Sequence, residues 1–388
     1  MGESTLVTDR ITYFDHAATS WPKPQPVVDA VVHAMTAAGG NPGRAAHALA
    51  LAASRLILQS RTDVAALLGV PDSKDLAFVP GCTFGLNLAL KGLLQPGDRV
   101  VVGSTEHNSV ARPLSSLAAS GVRVDIVAAD DAGRIDPDSV ERAVSQAPTR
   151  AVICQHASNV LGTIEPVGDL ADIAHAAGAL LIVDGAQAAG HLRLDLAALG
   201  ADAYVASGHK GLLGPQGVGV LYLAPGVEPA ELLQGGSGSD SEDPNQPKTR
   251  PDRYEAGTPN TPAVAGLGAA ARYLLEHGDA LRAEERRLTR MLHEGLLEIP
   301  GMRVLGPPPT EERVPVVSIV HDNLDADRIA FELDVTYKIA VRAGLHCAPW
   351  AHETAGTRQS GAVRFGIGYG VTAADIDYAL ASMRTVCA

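Results

Sequence analysis

Residues 166–187 read PVGDLADIAHAAGALLIVDGAQ, and their order decides the architecture. The first part, Pro166–Ala177, has helical spacing behind a proline, a residue suited to the first turn of a helix. Gly178 sits where a left-handed residue would close that helix. Ala179–Val183 is then wholly apolar, the pattern of a strand covered on both faces. Asp184 ends it abruptly. A helix, a tight stop and a doubly buried strand together make the repeating unit of an α/β sheet.

The same alternation extends in both directions. Strand-like runs fall at Leu76–Val79, Arg99–Val102, Arg123–Val127, Ala151–Gln155, Ala203–Ala206 and Val218–Leu223. Val27, Val28, Val31, Val32 and Met35 recur at helical spacing, and a longer helical pattern covers Ala45–Leu68, stopping at Gly69. The fold class is therefore α/β, a mostly parallel sheet covered by helices. The pattern breaks at Gly235–Arg253, a Gly-, Ser-, Asp- and Pro-rich stretch that reads as a surface loop or a linker. Two helical runs follow, Ala263–Leu275 and Asp279–Leu297, then a strand-like run at Val314–Val320, so the last third reads as a smaller α+β domain.

Composition narrows the function. With 388 residues the chain is roughly two to three times a typical domain, so two domains are expected. Hydrophobic residues are 46% and charged residues 19%, which excludes a disordered chain or a coiled coil. A net charge of −13 without a basic tract argues against nucleic acid or an anionic membrane surface as partner. Four cysteines, at 82, 154, 347 and 387, form neither a disulfide scaffold nor a zinc-ribbon pair. No apolar leader or spanning run is seen, and a cytoplasmic protein with reduced thiols is expected.

Three places carry chemistry. Ser207–Gly217, SGHKGLLGPQG, sets one lysine, Lys210, in a glycine-rich turn after a buried strand. It lacks the order of a nucleotide P-loop, and alone it is equally a surface lysine. Asp184 ends an apolar strand, where a carboxylate is costly unless it meets a cation or caps the next helix. Gly81-Cys82-Thr83 is a small-residue turn opening a helix, which offers N–H groups and a hydroxyl to a phosphate. A phosphate cradle, a carboxylate for a buried cation and an amine are together the parts that pyridoxal 5'-phosphate requires.

At this point the sequence resembles the class V aminotransferase-like enzymes of PLP fold-type I, and among them the group II cysteine desulfurase and selenocysteine lyase group. The matching motifs are YFDHAAT at 13–19, EHN at 106–108, SNVLGT at 158–163, VDGAQ at 183–187, SGHKGLLGPQG at 207–217, EAGTPN at 255–260 and RAGLHCAP at 342–349. The resemblance runs on to Val363-Arg364-Phe365 and so covers nearly the whole chain. It implies a PLP-binding large domain at 16–260 and a small α+β domain made of 1–15 and 261–388. It implies Lys210 as the Schiff-base lysine, Asp184 as partner of the ring nitrogen, Gln187 at the ring hydroxyl, and His107 stacked on the ring as a catalytic proton relay, so that Lys210 or His107 would remove the Cα proton. Asn159 would lie near the ring hydroxyl and the substrate. Thr83, Ser207 and His209 would hold the phosphate, with Thr258 reaching it from a second subunit of a homodimer. Arg364 would clamp the substrate carboxylate, with Arg342 and Ala17 beside it.

Cys347, in RAGLHCAP, is the expected sulfur acceptor. A thiolate is the reactive form, which Arg342 and His346 are expected to favour. The other three cysteines are read as structural or incidental, and no metal is expected, because His346, Cys347 and His352 lack a fourth ligand. The implied activity is conversion of L-cysteine to alanine with a persulfide on Cys347, passed to an acceptor protein or small molecule. Selenocysteine, cysteine sulfinate or C–S lyase chemistry is possible on the same scaffold. An aminotransferase would leave Cys347 idle, and a non-catalytic scaffold would leave Lys210 and Asp184 idle. Leu345, Trp350 and the polar 235–253 loop depart from the group's pattern, and they bear on the acceptor.

Overall fold

The computed structural model describes residues 11–43, 45–238 and 242–388. The expectations for residues 1–10 lie outside these, as does the part of the polar loop at 239–241. The chain enters through β1 (Thr12–Tyr13), then lays down α1 (Gln25–Thr36) and α2 (Ala48–Leu68). Gly69 closes α2 in the left-handed conformation at φ 66°, the role for which a residue without Cβ is suited.

A seven-stranded sheet follows, built from β2 (Leu76–Val79), β3 (Arg99–Gly103), β4 (Arg123–Val127), β5 (Ala151–Gln155), β6 (Leu180–Asp184), β7 (Ala203–Ser207) and β8 (Gly219–Leu223). Its spatial order is β2-β8-β7-β6-β5-β3-β4. The neighbours from β7 through β4 pair in parallel, while β8 is antiparallel to both β7 and β2. Five helices of this region are α3 (Cys82–Leu93), α4 (Asn108–Ala119), α5 (Pro137–Ser145), α6 (Val167–Ala176) and the short α7 (Leu196–Leu199). The strands from β5 to β8 are buried almost throughout, which is why they read as unbroken apolar runs. In the ordering of the strands, ligands belong at the C-terminal ends of the parallel set. Asp184 and Ser207 are the last residues of β6 and β7.

The polar loop is not a linker. Arg250 ties it back to the sheet, with Nη1 donating to the Leu223 carbonyl at 2.9 Å and pairing with Asp75 at 3.1 Å. Nearby, Glu255 takes a bidentate pair from buried Arg61 at 2.6 and 2.8 Å.

The two helices expected after this loop are one, α8 (Thr261–Leu297), 37 residues long. Gly278 reads as a break, yet one glycine costs a helix only about 1 kcal/mol. A Cβ there would also sit 2.9 Å from the Arg282 guanidinium, so the small residue makes room for that side chain. The first part of α8, Ala263–Leu274, belongs to the core of the large sheet, and Leu288, Leu292 and Leu296 belong to a second core. The expected boundary at 260/261 thus falls at the start of a helix shared by both.

The second core lies under a four-stranded antiparallel sheet ordered β12-β13-β10-β9. Its strands are β9 (Met302–Val304), β10 (Val316–His321), β12 (Arg342–Gly344) and β13 (Ala362–Gly366), and β11 (Ile339–Ala340) pairs in parallel with β1. The helices α9 (Ala326–Tyr337) and α11 (Ala373–Val386) contribute to that core, and α10 (Pro349–Thr354) lies between β12 and β13 in the chain. Among the described residues, no helix is long and apolar enough to cross a membrane.

Candidate active site

The ends of β6 and β7, the start of α3 and α4, and the strands β12 and β13 converge on a cavity of about 230 Å3. It is lined by Ala17, Thr83, His107, Asn159, Asp184, Gln187, Ser207, His209, Lys210, Arg342 and Arg364, among others. Eleven of the thirteen residues expected at the site are thereby gathered from segments far apart in the chain. Cys347 is exposed beside the cavity, next to lining residues Arg342 and His346. Thr258 is not in it. That residue is exposed on a neighbouring apolar groove with Phe84, Leu232 and Leu233.

Asp184 is 4% exposed, and each of its carboxylate oxygens has a protein partner. Oδ1 accepts from the Ala186 N–H at 2.9 Å and from the Cys82 thiol at 3.3 Å. Oδ2 lies 3.3 Å from Ser109 Oγ. Burial first, then the charge of Asp184, pushes the Cys82 thiol well up, so it stays a proton donor. Cys82 is expected from the sequence to be structural or incidental. The structure puts it on the carboxylate, a contact that no spacing signals because 102 residues separate the two.

Burial drives the Lys210 amine down, partly offset by Asp184. His107 caps α4, its Nδ1 accepting from the Ser109 N–H at 3.1 Å. An accepting Nδ1 leaves the ring proton on Nε2. Burial, then Lys210, lowers this imidazole to about 4, so it is neutral at pH 7. His209 is lowered to about 4 by the same two causes.

The helix α3 opens with Cys82 and Thr83 at its first turn, and no side chain caps it. Its free N–H groups and macrodipole suit an anion. Four buried polar atoms on lining residues have no protein partner: Asn159 Oδ1, Gln187 Oε1, His209 Nδ1 and Arg364 Nε. Unmet buried groups are costly unless a ligand meets them. A small polar ligand with hydrogen-bond donors for the two amide oxygens and anionic groups for the helix end and for Arg364 would fit this set.

Arg364, on β13, is 1% exposed and pairs with Asp15 at 2.8 Å, while Nη1 donates to the Asn159 carbonyl at 3.2 Å. In register beside it on β12, Arg342 donates from Nη2 to Cys347 Sγ at 3.3 Å. The expected help of His346 to that sulfur is not there. Its ring is committed to the Arg342 carbonyl and to His352, and burial holds it neutral, lowered to about 3.

Residues 12–379 match the family described as aminotransferase class-V, and the chain belongs to that family. Its fold, an α/β sheet with a smaller antiparallel domain, is that of PLP fold-type I. Within the family it is similar to a probable cysteine desulfurase of Methanothermobacter thermautotrophicus, 38% identical over 91% of this chain and 90% of that one. A probable cysteine desulfurase of Pseudomonas putida is 39% identical over 87% of this chain and 84% of the relative. Among solved structures, an apo cysteine desulfurase from Thermococcus onnurineus superposes with a TM-score of 0.91 at 32% identity, covering 97% of this chain and 94% of the other.

Proposed function

We propose that the chain is a pyridoxal phosphate-dependent L-cysteine desulfurase that releases alanine and carries the sulfur as a persulfide on Cys347. The observation that carries this reading is the placing of an exposed thiol against Arg342, at the rim of a cavity whose floor holds Lys210 and Asp184. An aminotransferase has no use for that thiol. When bound, the cofactor supplies an electron sink for charge developing at the substrate Cα.

The residues divide the work. Lys210 would hold the cofactor through its amine, Asp184 its ring nitrogen, and Gln187 and Asn159 its ring hydroxyl. Thr83, Ser207 and His209 would hold its phosphate, with Thr258 from a second subunit. Arg364 would take the substrate carboxylate, since a guanidinium offers two parallel donors. Lys210 Nζ, whose charged form burial disfavours, suits removal of the Cα proton. His107 suits that step less, because Nδ1 is occupied and Nε2 already carries a proton, so the neutral ring can donate a hydrogen bond there but not take a proton. Cys347 Sγ then bonds to the substrate sulfur as the Cβ–S bond breaks, and the bonding pair stays with the carbon skeleton, which is protonated to alanine. The persulfide passes to an acceptor protein or small molecule in a reducing cytoplasm.

Cys347→Ser tests the reading. Serine keeps the size but loses the soft, readily ionised nucleophile. The variant retains cofactor absorbance and still perturbs it on adding L-cysteine, yet forms no persulfide by mass spectrometry and releases no alanine. Turnover of L-cysteine at the native rate would replace the persulfide mechanism with a C–S lyase.

A further inference from the structure

Beside the cavity, behind Cys347, three polar side chains form a line that the proposed chemistry does not use. His346 Nε2 lies 3.0 Å from the Arg342 carbonyl, and His346 Nδ1 lies 3.1 Å from His352 Nε2. His352 Nδ1 lies 2.8 Å from Thr357 Oγ1. The two rings stack, 5.3 Å apart with 19° between their planes. Both histidines and the threonine are buried, at 2%, 0% and 1% exposure.

The protons of this line are fixed by elimination. A carbonyl only accepts, so His346 donates from Nε2 and its neutral ring must accept at Nδ1. His352 therefore donates from Nε2 and accepts at Nδ1, where the Thr357 hydroxyl donates. Burial keeps both rings neutral, lowered to about 3 and about 4. A second proton on either ring would set donor against donor.

The line ends on strained backbone. His346 and Cys347 are consecutive non-glycine residues at φ 51° and 58°, in the left-handed region. Such residues cost about 1–3 kcal/mol each and persist only where the surroundings over-determine them. Here Asn159 Nδ2 donates to the His346 carbonyl at 2.8 Å, and the Asn108 N–H donates to the Cys347 carbonyl at 2.8 Å. The ring of His346, pinned at both nitrogens, supplies the remaining constraint, and it can do so only while His352 is itself held by Thr357.

We propose that His352, with Thr357, is a positioning residue for the reactive thiol: it locks His346 so that Cys347 stays in the left-handed turn with Sγ against Arg342. This rests on the reading of Cys347 as the sulfur acceptor. It makes no contact with substrate or cofactor a requirement, and it assigns the rigidity of the turn to a side chain five residues beyond the thiol.

The test uses the enzyme loaded with pyridoxal phosphate and three variants. His352→Leu removes the line, His352→Gln keeps an N–H near the position of Nε2, and Thr357→Val removes only the terminal donor. Iodoacetamide labelling of Cys347, followed on its peptide by mass spectrometry, needs no turnover. Labelling reads how the thiol is presented, so a Cys347 released from its place against Arg342 labels at a different rate. The expected result is a labelling rate changed by about threefold or more and about a tenfold or greater fall in kcat for alanine release in His352→Leu, with KM for L-cysteine within about twofold. Thr357→Val moves the same way by less, and carries the test alone should the leucine variant lose its fold. His352→Gln recovers most of both rates. Native labelling and kcat in Thr357→Val and His352→Leu, or a glutamine variant no better than leucine, would overturn the proposal. Failure of the desulfurase reading shows separately, as turnover in Cys347→Ser, and leaves the labelling result intact.

Discussion

Arg364 gathers several demands on one side chain. It is buried, it holds Asp15 and the Asn159 carbonyl, and its Nε is unmet by protein. A lysine there keeps the charge but loses the planar fork. Arg364→Lys is therefore expected to raise KM for L-cysteine by about 10- to 100-fold while the resting cofactor absorbance stays native; steady-state kinetics beside an absorbance spectrum checks both. An unchanged KM would move the carboxylate clamp to Arg342. Lys210→Ala is expected to purify without covalently held cofactor, and borohydride reduction of the native protein should label that lysine alone. Much of this site was legible in the sequence, because Asp184 and Lys210 stand where apolar strands stop and a polar residue needs a reason. The partners of these residues were not. Asp15 lies 349 residues from Arg364, and Ser109 lies 75 from Asp184. Such pairs are chosen by tertiary packing of distant segments within a domain, which leaves no local trace.

The connection from β5 to α6 hides a titratable group whose effect is on stability. Glu165 is 3% exposed; Oε2 accepts the Ile135 N–H at 2.9 Å, and Oε1 has no partner. Burial first raises this carboxyl from 4.5 to about 8. The folded protein thus holds a proton that the unfolded chain releases. Stability from this group is full below pH 4.5 and is lost as pH rises towards 8. Glu165→Gln removes the titration and keeps an acceptor for Ile135. Its thermal midpoint should fall less between pH 5 and 8 than that of the native protein, a difference worth a few kcal/mol at about 1.4 kcal/mol per pKa unit. Parallel slopes in scanning calorimetry would show Glu165 to be ionised in the fold. The strands and their mostly parallel pairing are legible in the alternation of apolar runs and helices, but the reversal at β8 is not. Only residues 208–218 separate β7 from β8, too few for a helical crossover, so β8 had to return antiparallel. The helix α8 reads as two runs because the pattern lapses over residues 276–278, yet the cost of Gly278 there is small beside the burial on either side.

Assembly follows from what the cavity lacks. Thr258 has the expected motif around it, yet it faces a separate apolar groove with Leu233 56% exposed. A second copy would bring that residue to a phosphate and cover the groove in one act. Sedimentation at assay concentration should therefore give twice the 40.1 kDa chain mass, and Thr258→Ala should hold pyridoxal phosphate less tightly without changing that mass. An active monomer would refute the shared site. The long helix has a different consequence. At 37 residues α8 runs about 55 Å, and its two halves seal two cores. A gene cut at 260/261 would not yield two tidy modules. The upstream fragment would lack Val264, Leu267 and Leu274, and the downstream one would carry that greasy stripe bare into water. Expressed apart, the pieces should be insoluble, and expressed together they should find each other, because each is the missing wall of the other.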